Sequence, residues 1–204
     1  MMRVSFRSPL AVAATTLFLL VAAPTPHGMA AQDPQQFVGQ IGQQAIQSLG
    51  PQVAPAQRAA HFRQLFSADF DVPGIGQFVL GRYWRSASPE QQQQFLQLFQ
   101  EYIARTYSDR LREYGGQPFR VTGSRPNGAE IVVSSEVMRQ AGQPIRMDWH
   151  LSDHGGNYKV EDVYVDGVSM KVTHRDEFAA IIQNNGGHLD AAFAVLRQKL
   201  GMTR

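Results

Sequence analysis

The apolar residues change their period partway along the chain. Ile145, Met147, Trp149 and Leu151 alternate with Arg146, Asp148, His150 and Ser152, the period-two pattern of a strand buried on one face. On either side the spacing is three to four. Phe95, Leu98, Phe99, Tyr102, Ile103 and Tyr107 mark one helical face before it, and Leu189, Ala192, Phe193, Leu196 and Leu200 another after it. Helices, then strands, then helices predict an α+β fold. The expected architecture is a curved antiparallel β-meander of four to five strands with helices packed on one face, a layout that readily encloses an apolar cavity.

Turn and cap residues divide this pattern into elements. A glutamine-rich stretch from Asp33 to Leu49, with Phe37, Ile41, Ala45 and Leu49 four apart, reads as a weakly amphipathic helix ended by Gly50-Pro51. A second helix is expected from Ala56 to Phe66, and a third, capped by Asp71 with Pro73 in its first turn, through Leu80. Ser88-Pro89-Glu90-Gln91 is a capping box with proline in the first turn, and Gly115-Gly116 stops the helix it starts. Asn127-Gly128 and Asp166-Gly167 are hairpin signals. A two-residue loop at Asp166-Gly167 pairs Val165 with Val168 and Val163 with Met170; the register at Asn127-Gly128 stays open. Thr173-His174-Arg175-Asp176 reads as a second capping box, before Phe178, Ile181 and Ile182, with Gly186-Gly187 ending that helix.

The first thirty residues stand apart. Arg3 and Arg7 precede an apolar run from Leu10 to Ala23, and Gly28-Met29-Ala30-Ala31 offers small residues for cleavage, the order of a secretory signal peptide. Residues 1–30 are therefore expected to be a signal peptide and 31–204 a single domain. With Arg3 and Arg7 gone, 17 Lys+Arg face 17 Asp+Glu, so nothing suggests a nucleic-acid footprint. The chain has no cysteine, which excludes disulfides, thiolate metal sites, a cysteine nucleophile and the lipidated cysteine of a lipoprotein.

No catalytic constellation emerges. His150 and His154 are four apart, but on a strand end and its turn they do not share a face, so no metal site is expected. Asp148 and His150 could pair as a base and its orienting partner; the plainer reading is the solvated outer face of a half-buried strand. Glu161, Asp162 and Asp166 surround a hairpin, one in the turn and the others on alternating faces. No serine sits in a Gly-x-Ser-x-Gly elbow, and Gly74-Ile75-Gly76 lacks the third glycine and preceding strand of a dinucleotide fingerprint. What stands out is apolar: Phe78, Tyr83, Trp84, Phe95, Phe99 and Tyr102 crowd one helical region, opposite Met147 and Trp149 of the sheet. Composition does not separate a filled core from one with a slot in it.

Two segments add a resemblance. One runs from Phe70-Asp71-Val72-Pro73 to Leu80-Gly81-Arg82-Tyr83-Trp84 and on through Ser88-Pro89-Glu90 to Tyr107. The other is Asp162-Val163-Tyr164-Val165-Asp166-Gly167-Val168-Ser169-Met170, continuing through Arg175 and Phe178 to Asn185-Gly186-Gly187. In this order they resemble the MlaC-type family of periplasmic phospholipid-shuttle proteins, also called toluene-tolerance auxiliary proteins. The Phe-Asp-Val-Pro version with Trp84 is similar to a hopanoid-biosynthesis-associated branch (HpnM-like). The resemblance implies a soluble, non-enzymatic periplasmic carrier that needs no cofactor beyond its bound lipid, a phospholipid or a hopanoid. It also implies two partners: an inner-membrane ABC transporter complex with an MCE-domain subunit, and an outer-membrane lipoprotein complex. The expected pocket residues are Phe78, Trp84, Phe99 and Ile103 from the helices with Val133, Met147, Trp149, Val163 and Val165 from the sheet. Less favoured is a cavity-containing α+β enzyme using Asp148 or His150, which would need those side chains turned inward; a ligand-free adaptor would instead need a filled core. Two acyl chains carry about thirty methylenes at about 0.8 kcal/mol each, so such a lipid does not cross water unaided. Opening triggered by a partner would then be needed for release, with glycines 74, 76 and 81 as hinges or simply as close-packing positions.

Overall fold

In the computed structural model, residues 32–50, 52–111, 117–139 and 141–202 are described. The expected signal peptide, Pro51 and the helix stop at Gly115-Gly116 lie outside them. Six helices and five strands follow in the order α1 (Pro34–Leu49), α2 (Pro55–Asp69), α3 (Val72–Leu80), α4 (Pro89–Leu111), β1 (Phe119–Asn127), β2 (Glu130–Val137), β3 (Ile145–Asp153), β4 (Tyr158–Val165), β5 (Val168–Ser169), α5 (Met170–Asn184) and α6 (Leu189–Lys199). A 3-10 turn, Gly81–Arg85, joins α3 to α4.

Three of the caps act as their residue types predict. The Asp33 carboxylate accepts from the Gln35 N–H of α1, and Asp71 from the Gly74 N–H of α3. At α4 the box closes in both directions: Gln91 N donates to Ser88 Oγ at 3.2 Å and Ser88 N to Gln91 Oε1 at 3.1 Å. Gly81 sits at φ +57° and ψ −126°, where a Cβ is strained, and this lets the chain leave α3 for the 3-10 turn. At Gly76 a Cβ would overlap the Leu96 Cδ2 methyl of α4, which would have to move aside.

The sheet is the expected antiparallel meander, in the order β1-β2-β3-β4-β5. The Asn127-Gly128 register resolves as Asn127 opposite Glu130, with Gly128 and Ala129 forming the loop. Val133, Trp149 and Val163 lie side by side across β2, β3 and β4, as do Ser135, Met147 and Val165. The Trp149 indole donates to Ser135 Oγ at 2.8 Å, which satisfies a buried polar pair. Between His150 and Leu151 the register to β4 shifts, the signature of a β-bulge, and Glu161 is the residue left without a counterpart.

Two expectations at the end of the sheet are overturned. Val165 faces Val168, but the last pair is Tyr164 with Ser169; Met170 already begins α5, so it does not pair with Val163, and Val168 is 55% exposed. The cap of α5 is Ser169, not Thr173. Ser169 Oγ accepts from Val172 N at 3.0 Å, while Thr173 Oγ1, inside the helix, donates back to the Ser169 carbonyl at 2.8 Å. A β-strand only two residues long after a tight turn leaves no room for the later start.

Apolar side chains collect in two cores. One lies among the helices around Phe95, Phe99, Phe178 and Phe193, all essentially without exposure. Their rings stack or meet edge-on at centroid distances of 5.4–6.1 Å. The other lies between α1 and the inner face of the sheet: Phe37, Val38, Ile41, Leu65, Val133, Trp149, Leu151, Tyr158 and Val160.

Candidate functional site

Between these two cores lies a cavity of about 300 Å3, at the lower end of the range for small-molecule sites. Helical periodicity supplies much of its wall. Ile41 and Ala45 are one turn apart on α1, Phe62 and Phe66 on α2, and Phe99, Ile103 and Tyr107 follow at four-residue steps on α4. Strand alternation supplies the facing wall, with Met147 and Trp149 from β3 and Val163 and Val165 from β4. Phe119, Val137, Ile75 and Met170 complete an almost wholly apolar lining.

Polar groups gather in one part of this wall: Arg110, Glu161, Asp162, Lys171 and His174. The bulge in β4 breaks the alternation so that neighbours Glu161 and Asp162 both border the cavity, where strict alternation would have put them on opposite faces. Asp162 is 6% exposed. Its Oδ1 accepts from Val163 N at 2.8 Å and Lys171 N at 2.9 Å, and its Oδ2 accepts from Ser169 Oγ at 2.5 Å. That carboxylate therefore ties β4 to the first turn of α5, where the helix dipole favours negative charge. Asp166, at φ +48°, shapes the preceding turn and accepts from Arg146 N at 3.0 Å.

His174 is buried and held from both ring nitrogens. Nδ1 faces Glu177 Oε2 at 3.3 Å, and Nε2 faces the Tyr107 hydroxyl at 2.9 Å. Donation from Nδ1–H to the carboxylate leaves Nε2 to accept from Tyr107. Tyr102 also donates to Glu177. Burial pushes the His174 imidazolium below its usual range despite Glu177 beside it. Burial, reinforced by the Glu177 hydrogen bond, takes the Tyr102 hydroxyl up to about 12. Burial raises Tyr107 as well. These groups are neutral donors and acceptors near neutral pH, a polar rim on an apolar slot. Arg110 lies over the Tyr107 ring at 5.5 Å, and neither Arg110 nor Lys171 forms an ion pair among the described residues.

Of the residues expected to form the pocket, Phe99, Ile103, Met147, Trp149, Val163 and Val165 line the cavity. Three do not. Phe78 is 36% exposed, because the buried stripe of α3 is Val72, Ile75, Gly76, Val79 and Leu80 and position 78 falls on the other side. Trp84 packs from the 3-10 turn against the helical core, its carbonyl accepting from Gln92 Nε2 at 3.0 Å. Val133 is fully buried in the core between α1 and the sheet rather than at the gap. Asp148 and His150 stay on the outer face. Asp148 is held below the usual carboxylate range: partial burial opposes this, but hydrogen bonds from Ser134 (2.6 Å) and Arg125 (3.3 Å) outweigh it. His150 meets Glu130 at 2.8 Å and stacks on Tyr164. Neither reaches the cavity. The wall from α1 and α2, and the polar group of Glu161, Asp162 and His174, were missed; four-residue spacing signalled the former, whereas nothing in the sequence marks the bulge.

Comparison with known proteins gives these features a context. A toluene tolerance protein from Pseudomonas putida, ttg2D, is 28% identical over 186 residues, covering 90% of this chain and 85% of its own. An intermembrane phospholipid transport system binding protein from Haemophilus influenzae, MlaC, is 28% identical over 116 residues, 54% of each chain. The structure of a phospholipid-binding protein from Ralstonia solanacearum in complex with a phospholipid shares the fold. Its TM-score is 0.69 at 24% identity, covering 84% of this chain and 98% of that one. The family model for MlaC protein matches residues 38–198, a span that runs from within α1 to the last turn of α6, and the chain belongs to the MlaC family.

Proposed function

We propose that this protein is a periplasmic phospholipid carrier. Acyl-chain carbons enter the cavity between the α1–α2 wall and the sheet, which at about 300 Å3 must widen to take two full chains, and the headgroup stays at its polar edge. The observation that carries this reading is the pairing of an almost wholly apolar cavity with two cations at its border, Arg110 and Lys171, which form no ion pair among the described residues. Apolar walls recover the transfer energy of the chains, at about 0.8 kcal/mol per methylene, and a guanidinium and an ammonium suit phosphate oxygens. Glu161 and Asp162 share that border, but Asp162 already accepts from two backbone amides and the Ser169 hydroxyl. Arg110 and Lys171 are thus left to meet a phosphate, which a hopanoid with neutral hydroxyls does not offer. Similarity to a phospholipid transport system binding protein and to a phospholipid-bound structure supports the same choice. In this reading residues 1–30 direct export, an inner-membrane complex with an MCE-domain subunit and an ABC transporter is one exchange partner, and an outer-membrane lipoprotein complex is the other. The protein binds and moves its ligand without chemistry. Native mass spectrometry of protein purified from a Gram-negative periplasm, with lipid analysis of the extract, tests it. A stoichiometric phospholipid adduct is expected; a bare mass that persists after incubation with phospholipid vesicles refutes the proposal, and a hopanoid adduct changes the ligand.

A further inference from the structure

The exposed ring of Phe78 has an unusual setting. Lys171 Nζ lies 4.9 Å from its centroid and the Arg175 guanidinium 5.5 Å, so two cations of α5 flank one aromatic of α3. Lys171 also borders the cavity, so this ring is one side chain removed from the cavity wall. Four residues after Phe78, past the break at Gly81, Arg82 lies over the Tyr83 ring at 4.8 Å, and Arg85 follows; both are exposed. From Val72 to Ser88 the sequence has no acidic residue. On α5 the nearest carboxylates are engaged: Asp176 with Arg175 at 2.8 Å, and Glu177 with Tyr102 and His174.

We infer that this face, Phe78 with Arg82, Arg85, Lys171 and Arg175, docks the protein onto an anionic phospholipid surface with the cavity opening towards it. The inference rests on the carrier reading and adds to it where the lipid enters. Charge complementarity selects the occupant: cations near an anionic bilayer contribute about 1 kcal/mol each, and an exposed apolar ring between them is the kind of side chain that inserts at the boundary of headgroups and acyl chains. Geometry gives the reason for it, because a lipid leaving the bilayer next to Lys171 enters the apolar slot without crossing water.

Partitioning of the purified protein onto vesicles of equal parts phosphatidylglycerol and phosphatidylcholine, measured by flotation beside pure phosphatidylcholine vesicles, tests the inference. Binding to the anionic vesicles that weakens with added salt is expected. Arg82→Gln should lower it about fivefold, from about 1 kcal/mol per cation, and Phe78→Ser by more, whereas Arg120→Gln on β1 should leave it unchanged. These positions are exposed, and circular dichroism verifies that the variants fold. Native mass spectrometry of the same samples separates the two readings: variants that keep their bound lipid yet lose vesicle binding support the docking face. Equal binding to both vesicle types, no binding to either, or wild-type partitioning by Phe78→Ser and Arg82→Gln would overturn it; no binding would leave the face to an acidic protein surface.

Discussion

Replacing Ala45 by phenylalanine separates a real cavity from a core that is merely loosely packed. Ala45 projects from α1 into the cavity, one turn from Ile41, and is half-buried. A benzyl group there enters existing space instead of displacing side chains. Burying a phenylalanine side chain contributes about 1.5–3 kcal/mol, and its lower helix propensity takes back about 0.5 kcal/mol. The lipid-free variant should therefore be about 1–2 kcal/mol more stable than the lipid-free parent, a rise in Tm of about 2–8 °C for a domain of this size. At the same time its lipid occupancy should fall, because the ring takes the volume the chains need. Thermal unfolding of delipidated protein and mass spectrometry of protein isolated from cells read the two effects separately. Overpacking would instead cost about 1–3 kcal/mol. A destabilised Ala45→Phe protein would mean that no room exists beside α1, and a stabilised one with full lipid occupancy would mean that the cavity is not where the lipid sits.

Three further expectations concern the frame of the site. Asp162→Ala strands the Lys171 and Val163 amides and the Ser169 hydroxyl and should cost about 3 kcal/mol in urea unfolding; a loss under 1 kcal/mol would show that the carboxylate does not tie β4 to α5. Gly81→Ala meets no atom within 4 Å but keeps φ +57°, so its cost, about 1–3 kcal/mol, is purely one of backbone strain, and an unchanged midpoint would argue against that conformation. His174 has its folded pKa below the unfolded value of 6.5. Its contribution is thus complete above pH 6.5 and is lost as the pH falls from there through the folded pKa, because the unfolded chain binds the proton first. His174→Gln should flatten the stability profile in that window, and a wild-type profile in the variant would put the acid sensitivity elsewhere.

Much of the fold could be read from side-chain spacing because each element buries one face by a fixed geometric rule. Phe99 and Ile103 on α4, and Met147 and Trp149 on β3, are inward for no reason other than periods of 3.6 and two, and the same rules brought them to the cavity wall. The errors arose where one local feature replaced another of equal strength. Thr173 to Asp176 has the composition of a capping box, yet Ser169 caps α5 four residues earlier, because Asp162 on β4 already accepts from the Ser169 hydroxyl and the Lys171 amide. Asp162 is aimed there by the bulge at Glu161, and a bulge has no compositional marker when neither residue is glycine. Phe78 was misplaced for a different reason: in a nine-residue helix with mostly apolar residues, hydrophobicity does not define which side is buried. The stripe that packs is Val72, Ile75, Gly76, Val79 and Leu80, and Phe78 falls outside it. The polar border of the cavity was hidden for the same reason. Glu161, Asp162, Lys171 and His174 come from a strand and a helix whose junction is set by one bulge and one cap, so the apolar slot is legible in the sequence while the charge arrangement at its edge is a property of the assembled fold.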